Sequence, residues 1–515
     1  MIVAQGPGKA GAKVRTLEEL ATTLRSLKSQ GKRIIHCHGV FDLLHIGHIR
    51  HFEQAKSLGD VLVVTITPDQ FVNKGPGRPA FVERLRAEAV AALDCVDYVA
   101  VNKWPTSVET IRLLRPDFYV KGREYEDSSR DVTGGIELER SAVISVGGDL
   151  AFTDDVTFSS SHLINDNLSL LSEEARQYLA SFRGRYSSRD ILRYLDKALT
   201  LNTLVVGEAI IDEYQYCEAI GKSAKDPMLA VRHLSIEQFA GGILAVGNHV
   251  ANFAGQVGLL TFLGSIDTQE DFVKEKLNRK INATLLHRSA SPTIVKRRII
   301  DSYSFAKMLE VYVLNDGSLE PRDNEVLCQS LEAKLPGADL VEVVDFGHGM
   351  FSSQAIAMLC ERARFLAVNT QSNAGNLGYN TISKYPRADF VSLAENEIRL
   401  EARDRRGDIK ELTLQVSKRL NCPRIVVTRG RQGCVCYSKD EGFSEIPAFA
   451  GHVVDRVGAG DAFLSIASLF AVQGAPMEVV GFIGNVVGAF AVATVGNRSA
   501  VERIPLIRYV ETLLK

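Results

Sequence analysis

The sequence predicts an α/β protein made of two doubly wound domains. Three observations carry that prediction. Short apolar runs rich in Val, Ile and Leu alternate with helical stretches along most of the chain. The chain has 515 residues, whereas single domains cluster near ~100–200 residues. Two glycine-bearing segments, one in each half, join an apolar run to a helical stretch. In open α/β sheets that junction is where ligands bind.

The elements follow in order. Residues 33–40 (RIIHCHGV) read as a first buried strand, 47–58 as a helix and 60–67 (DVLVVTIT) as a second strand. Residues 81–93 read as a helix, 98–101 as extended, 107–115 as a helix and 118–120 as extended. This block spans 30–165, after an N-terminal extension of residues 1–29. Residues 166–200 are charged and helical in period, and read as a helical linker. A strand starts at Thr203 (TLVVGEAIID). Strand signals recur at 340–346, 365–369, 390–393 and 424–428, giving a second domain over 201–515. Modest alternation at 293–300 (TIVKRRII) and 308–314 (MLEVYVL) suggests a small β lid formed by residues 213–235 and 290–314.

Composition narrows the function classes. Hydrophobic residues make up 45% and charged residues 24%, as in folded globular proteins. A net charge of −2 leaves no basic footprint, so neither nucleic acid nor an acidic membrane surface is expected as a partner. The eight cysteines form no CxxC pair, which points to reduced thiols and a cytoplasmic setting. The N-terminus lacks a secretory pattern. The apolar stretch 479–496 contains Asn485 and several glycines and reads as a buried helix.

The first constellation is HGVFDLLHIGHIRHF, residues 38–52. A helix N-terminus directly behind a strand offers free N–H groups and a positive dipole end to phosphate. His45 and His48, three apart, can project to one side of that turn, where imidazoles suit stabilisation of phosphoryl charge. Arg50 and His51 read as helix surface.

This segment resembles the HxGH signature of the cytidylyltransferase-like nucleotidyltransferases, and the resemblance extends over about residues 30–165. It includes KGPGRP at 74–79 with Glu83-Arg84, Lys121-Gly122, and FSSSHLI at 158–164. The family implies attack by a substrate phosphate on the α-phosphate of ATP or CTP, with pyrophosphate leaving and Mg2+ assisting. By that resemblance His45 and His48 are catalytic, while Gly39, Phe41, Lys74, Arg84, Lys121, Ser160 and Ser161 bind nucleotide or phosphate.

The second constellation is DRVGAGDAF, residues 455–463, between an apolar run and an apolar helix. Gly458 and Gly460 leave helix-start N–H groups open to an anion, and Asp461 sits where a general base belongs. GAGDAF resembles the second signature of ribokinase-like (PfkB-type) sugar kinases, a likeness covering about 203–515. It implies ATP as donor, Asp461 as base, and nucleotide or phosphate contacts from Gly458, Ala459, Gly460, Thr428, Gly430 and Asn485. It also implies sugar contacts from Asp212, Gly241, Gly242 and Asn248, a metal role for Glu397 and a homodimer. Three departures from the family pattern stand out. Glu208 stands where Asp is usual, Ala394 replaces an Asn, and Asn369-Thr370-Gln371 replaces Asp-Pro-Lys.

A sugar kinase joined to a nucleotidyltransferase resembles the bifunctional heptose kinase/adenylyltransferases of lipopolysaccharide precursor synthesis, with the domains in reverse order. The resemblance implies a sugar phosphate, such as a heptose phosphate, and nucleoside triphosphates as small-molecule partners. Two other functions fit the same residues: a nucleotidyltransferase with a sugar-binding or dimerising kinase-like half, and a non-catalytic sugar-responsive regulator.

Overall fold

Continuous apolar runs such as VLVVTI can be buried on both faces only in a parallel sheet flanked by helices. The computed structural model describes residues 11–72, 75–76, 78–126, 135–153 and 171–515, and the chain divides into two compact units, Met1–Leu170 and Leu171–Val510. Among the described residues no helix is long and apolar enough to cross a membrane.

In the first unit the strands are β1 (Ile34–Gly39), β2 (Val61–Ile66), β3 (Tyr98–Val101), β4 (Phe118–Gly122) and β5 (Asp149–Thr153). They pair in parallel in the order β3-β2-β1-β4-β5. The order reverses beside β1, so the crevice at the carboxyl ends of β1 and β4 is the topological switch point. Alternate residues serve opposite faces. Ile35, Cys37, Leu62 and Val64 pack with Phe52, Ala87 and Val90. Ile34, Val61 and Val63 pack with Leu17, Leu20 and Leu24.

That second cluster corrects the expected N-terminal extension over 1–29. Residues Leu17–Ser29 form a helix, opened by a capping box between Thr16 and Glu19. Its apolar stripe, together with Leu114, covers one face of the sheet.

In the second unit the strands are β6 (Asn202–Gly207), β7 (Ala209–Lys222), β8 (Leu229–Gly242), β9 (Gln256–Ile266), β10 (Ile281–Pro292), β11 (Ile294–Asp301), β12 (Lys307–Val313), β13 (Leu340–Asp345), β14 (Leu366–Thr370), β15 (Phe390–Ala394), β16 (Arg424–Thr428), β17 (Cys434–Ser438) and β18 (Gly442–Ile446). The main sheet runs β10-β9-β6-β13-β14-β15-β16-β17-β18, and only the pairings of β17 are antiparallel. A separate four-stranded sheet, β12-β11-β7-β8, is the expected β lid. The segment expected as a linker forms two helices, Glu173–Arg183 and Ser188–Ala198. They belong to the second unit, where the Phe182 ring stacks on Phe482 at 4.5 Å.

Candidate functional site

In the first unit β1 ends at Gly39, where any Cβ would come within 2.9 Å of the Phe41 ring. Phe41 adopts a left-handed φ of 47°. Its ring packs edge-on against His48 and Phe52, with centroids 5.3 and 5.0 Å away. His45 caps the helix Ile46–Ser57, its Nδ1 accepting the Gly47 N–H at 3.1 Å. The His45 and His48 rings stack with centroids 3.9 Å apart. The structure therefore brings both imidazoles together at a helix N-terminus beside the switch point.

Two more histidines lie beneath. Thr65 Oγ1 contacts His36 Nε2 at 2.7 Å and His38 Nδ1 at 2.8 Å. Burial pushes both rings down to about 3, so they stay neutral and carry no charge toward a phosphate. On β4, Lys121 forms an ion pair with Glu139 at 3.0 Å, and its ammonium lies 5.4 Å from the Tyr119 ring centre and 5.0 Å from that of Tyr125. His51, read as surface, contacts Thr153 Oγ1 at the end of β5 at 2.8 Å.

Arg84, expected to bind nucleotide or phosphate, points to the helix surface. Its side chain is 86% exposed and pairs with Glu88 on its own helix. The arginine that turns inward is Arg86, which donates to the carbonyls of Phe81, Val40 and Thr67 and to Asp69. The two lie two residues apart, on opposite faces of one helix, and no local pattern marks which of them faces the sheet. Asp42 of the signature is also structural: it pairs with Arg78 at 3.3 Å and accepts the Phe81 N–H at 3.1 Å. Lys74, Ser160 and Ser161 lie outside the described residues.

In the second unit a cleft of about 340 Å³ lies between the lid and the carboxyl ends of the central strands. Gly458, Gly460 and Asp461 line it, with Thr428 and Glu397 on the main-sheet side. Asp212, Lys296 and Arg298 face it from the lid. Gly458 caps the helix Ala459–Ala471 at φ +80°, and a Cβ there would strike Asn497 Oδ1 at 2.0 Å. Asp461 accepts a hydrogen bond from Gln371 Nε2 at 2.5 Å. Burial pushes its carboxyl up to about 7; Gln371 opposes the rise and the Asp212 charge adds to it. Gln371 is one of the departures from the family pattern, and here it orients the expected base.

Asp212 accepts from Arg298 at 2.5 Å and from Asn497 at 3.3 Å. Its Oδ2 leaves no room at Gly241, where a Cβ would come within 2.1 Å. Gly242 has φ +57°, and its own Cβ would meet the Glu208 carbonyl at 2.5 Å. The two glycines thus fit a close approach of β8 to β7.

Other expected residues lie elsewhere. Asn248 donates to the Lys276 carbonyl and accepts the Asn278 N–H, so it braces a neighbouring loop instead of facing Asp461. Asn485 donates to the carbonyls of Ile446 and Pro447, both at 3.0 Å, and holds a strand end. Gly430 sits in a turn at φ +56° next to the cleft wall. Glu208 accepts the N–H groups of Phe346 and His348, at 3.0 and 3.1 Å, and so fixes the end of β13.

Glu397 accepts the N–H groups of Ala394 and Ser372, at 2.7 and 3.1 Å, and burial pushes it up to about 7. Among the described residues no group of three His, Cys, Asp or Glu side chains could hold a metal ion. Magnesium usually keeps several waters and binds through substrate phosphates, with only one or two protein carboxylates.

Sequence reasoning missed Lys296, Arg298 and Asn497. The first two were legible as a period-two pattern, since Lys296 and Arg298 of β11 share one face. Lys296 is 7% exposed, and its ammonium lies 5.2 Å from the Tyr312 ring centre and 5.4 Å from that of Phe346.

Comparison with known proteins agrees with the two-domain architecture. The pfkB family of carbohydrate kinases matches residues 201–504, and the cytidylyltransferase-like family matches residues 36–166. The Bifunctional protein HldE of Geobacter sulfurreducens is 42% identical over 120 residues, 23% of this chain and 24% of that protein. Its namesake from Desulfatibacillum aliphaticivorans is 40% identical over 158 residues, 30% of this chain and 31% of that one. The matched segments thus span about a quarter to a third of those relatives. The solved phosphofructokinase-2 from Escherichia coli in complex with potassium shares the fold of the second unit, with a TM-score of 0.50 at 15% identity, over 61% of this chain and 100% of that one. The chain belongs to the pfkB family of carbohydrate kinases and carries a cytidylyltransferase-like domain ahead of the kinase domain.

Proposed function

We propose that the chain is a bifunctional enzyme of nucleotide-sugar synthesis. Its second unit transfers the γ-phosphoryl group of ATP to a sugar hydroxyl. Its first unit joins the resulting sugar 1-phosphate to a nucleotide and releases pyrophosphate. The single observation that carries the reading is Asp461 at a helix N-terminus within a lid-covered cleft.

In the kinase step the acceptor hydroxyl loses its proton to Asp461 as its oxygen bonds the γ-phosphorus, and ADP leaves. The N–H groups after Gly458 receive the charge of the transferring group. Asp212 orients the acceptor's hydroxyls. Lys296 adds a positive charge on the lid side, which fits an acceptor that already carries phosphate, such as a heptose phosphate. In the transferase step an oxygen of the sugar 1-phosphate attacks the α-phosphorus of ATP or CTP. His45 and His48 stabilise the charge that grows there, and Lys121 steadies phosphate oxygens. Magnesium would enter with the triphosphates and neutralise part of their charge.

The exposed face of the lid supports a homodimer. Ile236, Leu309 and Val311 are 51%, 60% and 38% exposed there, on the side away from the cleft. All eight cysteines are free, which suits a reducing cytoplasm.

The test is incubation of the full chain with ATP, CTP and a panel of sugar phosphates, with products read by mass. Asp461→Asn is expected to lower sugar phosphorylation by about 10²–10⁴-fold while leaving pyrophosphate release intact. His45→Ala with His48→Ala should do the converse. If no sugar phosphate gains mass from ATP, the kinase assignment falls.

A further inference from the structure

Asp455 opens the DRVGAGD turn but does not line the Asp461 cleft. Its side chain is 1% exposed. It nevertheless collects five donors. Oδ1 accepts the N–H groups of Arg456 and Val457, at 2.7 and 3.2 Å, and Lys307 Nζ at 2.5 Å. Oδ2 accepts Tyr214 O–H at 2.5 Å and Gly496 N–H at 3.0 Å. Burial works against its charge, but Lys307 and Tyr214 outweigh that and hold it ionised below the usual carboxylate range.

The donors come from three places that must agree for the cleft to form. Arg456 and Val457 belong to the turn that places Gly458 and Asp461. Gly496 precedes Asn497, whose amide contacts Asp212 and whose Oδ1 abuts Gly458. Tyr214 and Lys307 lie on lid strands β7 and β12. The Lys307 ammonium also lies 5.4 Å from the Tyr214 ring centre.

We infer that Lys307 and Asp455 form a clamp that sets the lid against the phosphate-binding turn, making both positioning residues for the kinase reaction. Lys307 is the cation paired with this carboxylate; without it a buried charge is left uncompensated, and the turn and the lid lose their common anchor. The inference rests on the kinase assignment above for its kinetic consequence but not for its structural one.

The test uses the full chain with Lys307→Met, which keeps length and removes charge, and Lys307→Ala. The Lys307 side chain is 34% exposed, so a small cation from solution can reach the vacated position. Lys307→Met is expected to lower kcat for sugar phosphorylation by about tenfold to a hundredfold, the scale of a small misplacement of reacting groups. Added propylammonium should restore part of that loss in Lys307→Ala but not in Lys307→Met. Hydrogen exchange at the amides of Val457 and Gly496 should speed up in both variants, together with that of β12, while circular dichroism stays unchanged.

Unchanged exchange at Val457 and Gly496 would overturn the clamp, whatever the kinetics. Faster exchange with wild-type kcat would overturn its positioning role. If the unsubstituted chain phosphorylates no sugar, the kinase assignment fails, and the exchange measurement still decides the clamp.

Discussion

The Asp461 carboxyl illustrates how burial sets chemistry at a single residue. A base must be ionised to accept a proton, and burial pushes this group up to about 7. Sugar phosphorylation should therefore fall about tenfold per pH unit below that value, and level off above it. A kcat/KM profile against pH checks this. A flat profile down to pH 5 would mean that another group takes the proton.

Glu342, which does not line the cleft, shows the same physics. It lies fully buried in the middle of β13, accepts from Ser468 and leaves Oε2 with no hydrogen-bond partner. Burial pushes it from 4.5 up to about 8, so the folded chain keeps its proton after the unfolded chain has lost it. Its contribution to stability is full below pH 4.5 and is lost as pH rises toward 8. Glu342→Gln should flatten that part of the pH–stability curve, as read by denaturant unfolding. Asp461, Glu397 and Glu208 shift in the same direction, so some slope should remain.

At the scale of elements, the helix Leu17–Ser29 is a covering layer of the first sheet. Leu20 is fully buried in its contact with that sheet. Leu20→Ala should cost about 2–5 kcal/mol, measurable by chemical denaturation. A free extension would tolerate the change at no cost. The turn at Gly458 has a different constraint. Gly458→Ala must adopt φ +80° and displace Asn497, so it should lose kinase activity along with about 1–2 kcal/mol of stability.

The strands were readable because parallel strands covered on both faces need mainly apolar runs, as in VLVVTI and, despite Glu342 and Asp345, LVEVVDF. The helix 17–29 was not, because its stripe acquires meaning only from the sheet it covers. Helix 135–145 and β5 were also missed. The apolar pattern ending in DLAFT is short, and a strand of five residues at a sheet edge leaves little periodicity.

At the scale of the whole molecule, the two proposed phosphate sites lie in two separate units, each at a sheet's carboxyl edge. The lid's exposed apolar face belongs to this scale because its proposed partner is a second copy. Leu309→Asp with Ile236→Asp should convert a dimer to a monomer in sedimentation, with the lid sheet still formed. A wild-type monomer at micromolar concentration would remove the proposal.

The sequence alone determined the α/β class and the two strand–helix junctions, and it singled out His45, His48 and Asp461 as candidates. Those features are local: a strand, a glycine and a helix start within about a dozen residues fix where an anion can approach. Tertiary structure decided which other side chains meet them. It turned Arg86 inward and Arg84 out, sent Asn248 to a loop, and brought Gln371 to Asp461 and Lys307 to Asp455 across separations of 90 and 148 residues. Such pairs depend on the order and twist of strands far apart in the chain, and no local pattern of residues encodes that order.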